Sequence, residues 1–393
     1  MAELKSIHDL DVHGKRVLVR VDFNVPMNGT TITDERRIEA AVPTLEYLLD
    51  QGAGIIVASH LGRPDGKVVQ EFSLAPIAEK LAEVMDRKVE FLAEAVGPEV
   101  SARASRLKPG EIIMLENLRF YPEEESNGVE FARELASLAD LYIDDAFACV
   151  HRAHASIVGV PALLPHAAGF LVEEEFHTLH GLLKSPDHPF VAIIGGAKVA
   201  DKFELLDSLL HLSDKIVIGG AMANTFLLAQ GHSVGASICE PDLKSRVADF
   251  IAKAAEQKVD LVLPVDVVVA ASIQEGEPVQ TVQVDEIDTK DMALDLGPKT
   301  VEKIEQALVG VKSVFWNGTL GYTENEAFAA ASTAVADAII ASGARSIIGG
   351  GDTSGFLDQY SNPAKFSFVS TGGGAALELL AGKELPGIVS LQH

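Results

Sequence analysis

Short runs of apolar, often β-branched residues alternate with amphipathic stretches along almost the whole chain. The runs include RVLVRVDFNV (16–25), GIIVASH (54–60), EIIMLE (111–116), LYIDDAF (141–147), FVAIIGG (190–196), KIVIGG (215–220), VDLVLPVDVVV (259–269), SVFWNG (313–318), SIIGGG (346–351) and FSFVSTGGG (366–374). Between them lie helical patterns such as SLAPIAEKLAEVM (73–85) and FARELASLAD (131–140). Near-continuous apolar strands alternating with helices predict an α/β fold of parallel sheets covered on both faces. Ten such strands make one large sheet or two, and 393 residues favour two.

The strand ends differ between the two halves. In open α/β sheets ligands bind beyond the carboxyl ends of the strands. In the first half those ends carry Asp22 and Asn24, His60 and Arg63, Arg119, and then His151, Arg152 and His154. In the second half they carry glycines: Gly195-Gly196, Gly219-Gly220, Gly349-Gly350-Gly351 and Gly372-Gly373-Gly374. Eleven of the thirteen arginines precede residue 186. Guanidinium forks suit carboxylate and phosphate, whereas glycine turns that open helices let bare N–H groups approach a polyphosphate. The first half therefore reads as a site for a small, multiply anionic ligand and the second as a nucleotide site. The boundary is expected in 166–189, where one helical stretch meets a Pro-containing stop.

Charge and cysteine content exclude other classes. With 57 acidic against 32 basic residues the net charge is −25, a poor match for nucleic acid or an anionic membrane. Cys149 and Cys239 are 90 residues apart without a CxxC pattern, which supports neither a disulfide framework nor a zinc ribbon. The charged N-terminal stretch lacks the apolar core of a signal peptide, and no apolar run reaches the ~18 residues of a membrane span. A soluble, cytoplasmic protein is expected.

Local motifs carry two readings each. In GGAKVADKFELLDSLL (195–210), Lys198 and Lys202 are four apart, which would place both on one helical face near its N-terminus. They are either solvated lysines or ligands of an anion bound there. Neither a GxxxxGK[ST] loop nor a GxGxxG fingerprint occurs. In GGGDTSGF (349–356), Asp352 or Thr353 is either a helix N-cap or part of a magnesium-phosphate site. HRAHAS (151–156) suits an anion cradle better than a metal site, and Cys149 suits inert packing.

Together these segments resemble phosphoglycerate kinases. RVDFNVP (20–26), RIEAAVP (37–43), SHLGRP (59–64), ENLRF (116–120), HRAHAS (151–156), GGAKVADK (195–202), WNG (316–318), GGGDT (349–353) and STGGGAALELL (370–380) occur in that family's order. The resemblance implies two Rossmann-like lobes: 1–167 for 3-phosphoglycerate, an interdomain helix at 168–185, and 186–382 for nucleotide. The tail 383–393 is implied to return to the first lobe. It also implies reversible phosphoryl transfer between 1,3-bisphosphoglycerate and MgADP by a monomer, giving 3-phosphoglycerate and MgATP on hinge closure.

Carried over by position, the glycerate ligands are Asp22, Phe23, Asn24, Arg37, His60, Leu61, Gly62, Arg63, Arg119 and Arg152. The nucleotide ligands are Lys198, Lys202, Gly220, Asn317, Glu324, Gly350, Gly351, Asp352 and Thr353, with Asp352 also on Mg2+. Arg37 and Lys198 are expected to meet on the transferred phosphoryl, caged by N–H groups of Gly350 and Gly373. The chain departs from the family pattern at three places. Gly219-Gly220-Ala221-Met222 stands for GGGM, WNGTLGYTE (316–324) for WNGPxGVFE, and AFACVHRAH (146–154) for AFGTAHRAH. The first two bear on ATP versus GTP preference, the third on the glycerate-side loop.

Overall fold

The computed structural model describes residues 4–392. It divides into two compact units, one running to His177 and resuming at Glu384, the other spanning Thr178–Lys383. In the first unit six parallel strands lie in the order Val89–Phe91, Ile112–Met114, Gly54–Ala58, Arg16–Val21, Leu141–Asp145, His166–Ala168. The central strand Arg16–Val21 is where the winding reverses, so the loops beyond it diverge and open a crevice. One sheet face packs on the helices Arg36–Asp50 and Ala75–Val84 through residues such as Val17, Val19, Ile55, Leu45 and Leu81, all fully buried. Successive residues of Arg16–Val21 from Val17 onward, and of Gly54–Ala58, are buried whichever face they point to, which explains why the strands read as apolar runs rather than alternating ones.

The second unit repeats the plan, with strands ordered Asp260–Val262, Lys215–Ile218, Phe190–Ile194, Ser313–Asn317, Arg345–Gly349, Phe368–Val369, all parallel. Two expectations need correction. The run 259–269 is not one strand: it breaks at Pro264, and Asp266–Ala270 joins a separate antiparallel sheet with Gln280–Gln283 and Met292–Leu296. A proline cannot donate to the ladder, so a continuous central strand there is barred. The run 366–374 yields only the two-residue strand Phe368–Val369, because the following glycines open the helix Gly374–Leu380.

A helix spans Phe170–Lys184, and the division between the units falls within it. Its first turn is held by Asp145, whose Oδ1 accepts the Leu171 N–H at 2.9 Å. Burial pushes this carboxyl up to about 7, against the pull of the Thr44 and Leu171 hydrogen bonds. The unfolded group titrates near ~3.9, so from about pH 4 to 7 the folded chain holds a proton that the unfolded chain lacks. Its contribution to stability is therefore lost as pH rises through that window. Asp145→Asn is expected to flatten this part of the melting profile and to gain most on the wild type at pH 8. Profiles that stay parallel from pH 4 to 8 would exclude the assignment.

Candidate active site

In the first unit the crevice is lined from four strand ends. After Arg16–Val21, Asp22 is 8% exposed and pairs with the Arg37 guanidinium; Arg37 Nη1 also donates to the Asn24 carbonyl at 3.3 Å. Asn24 Oδ1 in turn accepts the Gly62 N–H at 2.9 Å, and Arg119 Nη1 donates to the Gly62 carbonyl at 2.8 Å. Gly62 has φ +62°, and a Cβ there would strike the Phe72 ring at 2.5 Å, so only glycine serves. Asn117 braces the same loop: its Nδ2 donates to the Leu61 and Phe72 carbonyls, and its Oδ1 accepts the Arg119 N–H. Phe23 is fully buried and donates its N–H to Ser59 Oγ. Arg152 is half-buried against His151 Nε2 at 3.2 Å, and Arg63 is exposed beside Gly62.

Behind this layer lies a charge that the motif reading passed over. Arg20 is 1% exposed, yet it sits in an apolar strand. Its Nε donates to Ser156 Oγ at 2.9 Å; Ser156 donates to Glu124, which is fully buried. Its Nη2 donates to His60 Nδ1 at 3.2 Å. An acceptor Nδ1 leaves the His60 proton on Nε2. Burial, and then the charges of Arg20, Arg119 and Arg152, push His60 well below its usual range, and bring His154 to about 3. Both rings are thus neutral among the arginines.

Among the described residues, one group places three metal-type ligand atoms within 4.8 Å: Asp22, His60 and Cys149. Arg20 Nη2 lies 3.7 Å from Cys149 Sγ as well as 3.2 Å from His60, so the guanidinium is the cation these groups already share. Burial raises the Cys149 thiol to about 12, which keeps it protonated.

In the second unit the glycine turns are packed backbone to backbone. A Cβ at Gly195 would meet the Thr319 carbonyl at 2.1 Å, and one at Gly318 would meet the Gly195 carbonyl at 2.3 Å. Lys202 threads this cluster, with Nζ on the Gly195 carbonyl at 2.6 Å and on Asn317 Oδ1 at 2.5 Å. Burial lowers it to about 8, opposed by the charges of Asp352 and Asp201. Asn317 donates to the Gly349 carbonyl at 2.7 Å, and Thr353 Oγ1 accepts the Gly318 N–H at 2.7 Å. Gly220 (φ +64°) donates to the Leu320 carbonyl.

The helix Gly351–Tyr360 starts from Gly350 (φ 97°) with no side-chain cap. Its first-turn N–H groups lack intrahelical partners, and nothing lies within 4 Å of a Cβ built on Gly351 or Gly373. Neither Asp352 nor Thr353 is the N-cap; Asp352 is exposed in the first turn and Thr353 is buried behind it. Lys198 and Lys202 do not share a helical face. Lys198 is exposed on irregular backbone, a 3-10 turn covers Ala200–Lys202, and the helix begins only at Phe203. Glu324 is exposed on a turn.

The phosphoglycerate kinase family model matches residues 7–383. The chain belongs to the phosphoglycerate kinase family. A phosphoglycerate kinase of Moorella thermoacetica is 51% identical over 391 residues, covering 100% of this chain and 99% of its own. One of Desulfosudis oleivorans is 50% identical over 392 residues, covering 99% of each. Among solved structures, phosphoglycerate kinase from Coxiella burnetii matches at TM-score 0.90 and 40% identity over 99% of each chain. That from Pyrococcus horikoshii matches at 0.84 and 31%, over 99% of this chain and 98% of its own. Family membership makes this chain an enzyme, a phosphotransferase.

Proposed function

We propose that this chain transfers a phosphoryl group reversibly between 1,3-bisphosphoglycerate and MgADP, yielding 3-phosphoglycerate and MgATP, as a cytoplasmic monomer. The observation that carries this reading is the pairing of two unlike sites within one chain. Arg37, Arg119 and Arg152 with neutral His60 form an anion patch at one sheet. A buried lysine among glycine turns stands at the other.

The chemistry needs alignment and charge neutralisation rather than a base, because the attacking oxygen is already anionic in both directions. Asp22 and Asn24 would orient the glycerate, with Asn24 and Asn117 fixing the Leu61–Gly62 loop. His60 would donate from Nε2, and Arg63, Arg119 and Arg152 would hold the phosphate. Lys202, Gly220, Asn317 and Thr353 would hold the nucleotide, with Glu324 on its ribose. Arg37, Lys198 and the N–H groups of Gly350 and Gly373 would act on the moving phosphoryl. Since these groups belong to separate units, transfer requires hinge closure, which also excludes water.

Mg2+ fits Asp352, an exposed carboxylate in the first turn of an uncapped helix whose charge already acts on Lys202. Bound there, magnesium supplies charge neutralisation at the polyphosphate. Asp352→Ala is expected to cut turnover by about ten- to a hundredfold and raise the magnesium concentration for half-maximal rate; unchanged magnesium dependence would remove Asp352 from the site. The reading is tested by magnesium-dependent phosphorylation of 3-phosphoglycerate through a coupled reductase, with ATP and GTP in parallel. Turnover is expected, and the nucleotide ratio reads out the effect of Ala221. No turnover by folded protein that binds 3-phosphoglycerate calorimetrically would point to a binding protein instead.

A further inference from the structure

We propose that Glu240 is a positioning residue for the nucleotide-side lysines, acting through the backbone of the segment that carries them. The inference rests on the reading of Lys198 and Lys202 as phosphate ligands. A non-helical loop that presents two cations to an anion must satisfy its own N–H groups elsewhere, or they remain unpaired. Here one oxygen does so. Glu240 Oε2 accepts the Val199 N–H at 2.5 Å and the Ala200 N–H at 3.3 Å, in the middle of the Lys198–Lys202 segment. Val199 is fully buried, which turns the segment so that both N–H groups meet the carboxylate.

Glu240 is itself fixed. Its N–H donates to Thr225 Oγ1 at 3.0 Å, and Thr225 is fully buried in the helix Met222–Gln230. That helix starts at the Gly219-Gly220-Ala221 turn, and its Met222 N–H donates to the Gly196 carbonyl at 3.0 Å. The two glycine turns are thereby joined on one side by Met222–Gly196 and on the other by Thr225–Glu240–Val199. Charge-assisted bonds to backbone N–H groups are about twice as strong as neutral ones, so the carboxylate sets where the segment sits. Glu240 lies some forty residues from the segment it holds.

The test compares Glu240→Ala, Glu240→Gln, Thr225→Val and Lys202→Met by steady-state kinetics on both substrates and by hydrogen exchange at Val199 and Ala200. Glu240→Ala is expected to raise the nucleotide KM about tenfold, in the range a small misplacement produces. The 3-phosphoglycerate KM should stay within about twofold, and protection of both amides should be lost. Glu240→Gln, which keeps an acceptor oxygen, should recover most of both. Thr225→Val should shift the nucleotide KM the same way by less, and serves if the alanine variant does not fold. An unchanged nucleotide KM in Glu240→Ala beside a raised one in Lys202→Met would overturn the role of Glu240 alone. No effect of Lys202→Met would instead overturn the phosphate-ligand reading beneath it. Equal loss in all parameters, or a glutamine variant as impaired as alanine, would also defeat the clamp.

Discussion

Arg37→Ala is expected to lower kcat by about two to three orders of magnitude while leaving nucleotide affinity within a factor of two, the cost typical of removing one preorganised donor at developing charge. Arg37 differs from Arg119. Arg119 is 4% exposed and committed to the Gly62 carbonyl and the Glu125 carboxylate, whereas Arg37 is about one-third exposed with one nitrogen engaged on Asp22 and Asn24. It is thus anchored at one end of its fork and available at the other. Arg37→Lys keeps the charge without the fork and should recover only part of the rate. Melting curves belong beside the kinetics, because Asp22 would lose its guanidinium partner in a buried setting. Equal losses in kcat and nucleotide affinity, or full activity, would defeat the transition-state role.

Lys202→Met should weaken nucleotide binding by one to two orders of magnitude and remove a characteristic pH dependence. Burial places Lys202 at about 8 in the free enzyme, so it is charged at neutral pH and mostly neutral at pH 9. A polyanion binds the charged form and raises its pKa; above about 8, binding must therefore take up a proton, and apparent affinity falls by up to tenfold per pH unit. The methionine variant should show a flat profile from pH 7 to 9, read by calorimetry with ADP. A wild-type affinity that does not decline over that range would exclude Lys202 as the phosphate cation. So would a variant that declines with the wild type.

The architecture was legible because two-sided burial writes itself into the strands as unbroken apolar runs. The polar strand ends were equally visible, since Asp22, His60, Arg119 and Arg152 each follow such a run. What failed was periodicity where the backbone is irregular. Spacing put Lys198 and Lys202 on one helix, but Gly196 at φ 113° and the pull of Glu240 on Val199 delay the helix to Phe203. No local signal announces Glu240, because its partners are remote in sequence. Arg20 did leave one: a charge inside RVLVRV has to be paired, and its partners Ser156 and His60 come from two later segments.

The last residues of the chain close the first unit. Gly387 donates to the Val150 carbonyl at 2.8 Å, and Ser390 Oγ donates to the Ile157 carbonyl at 3.1 Å, on either side of the segment that carries Arg152 and His154. Gly387 packs so tightly there that a Cβ would meet both Val150 and Ile157 at 2.8 Å. Synthesis proceeds from the N-terminus, so the sheet that is made first waits for the segment that resumes at Glu384 before its 150–157 loop is buttressed. The second unit is continuous in sequence and carries no such delay. During translation the order of completion is therefore the reverse of the order of emergence, and a ribosome that stops short releases a chain whose first unit is unfinished.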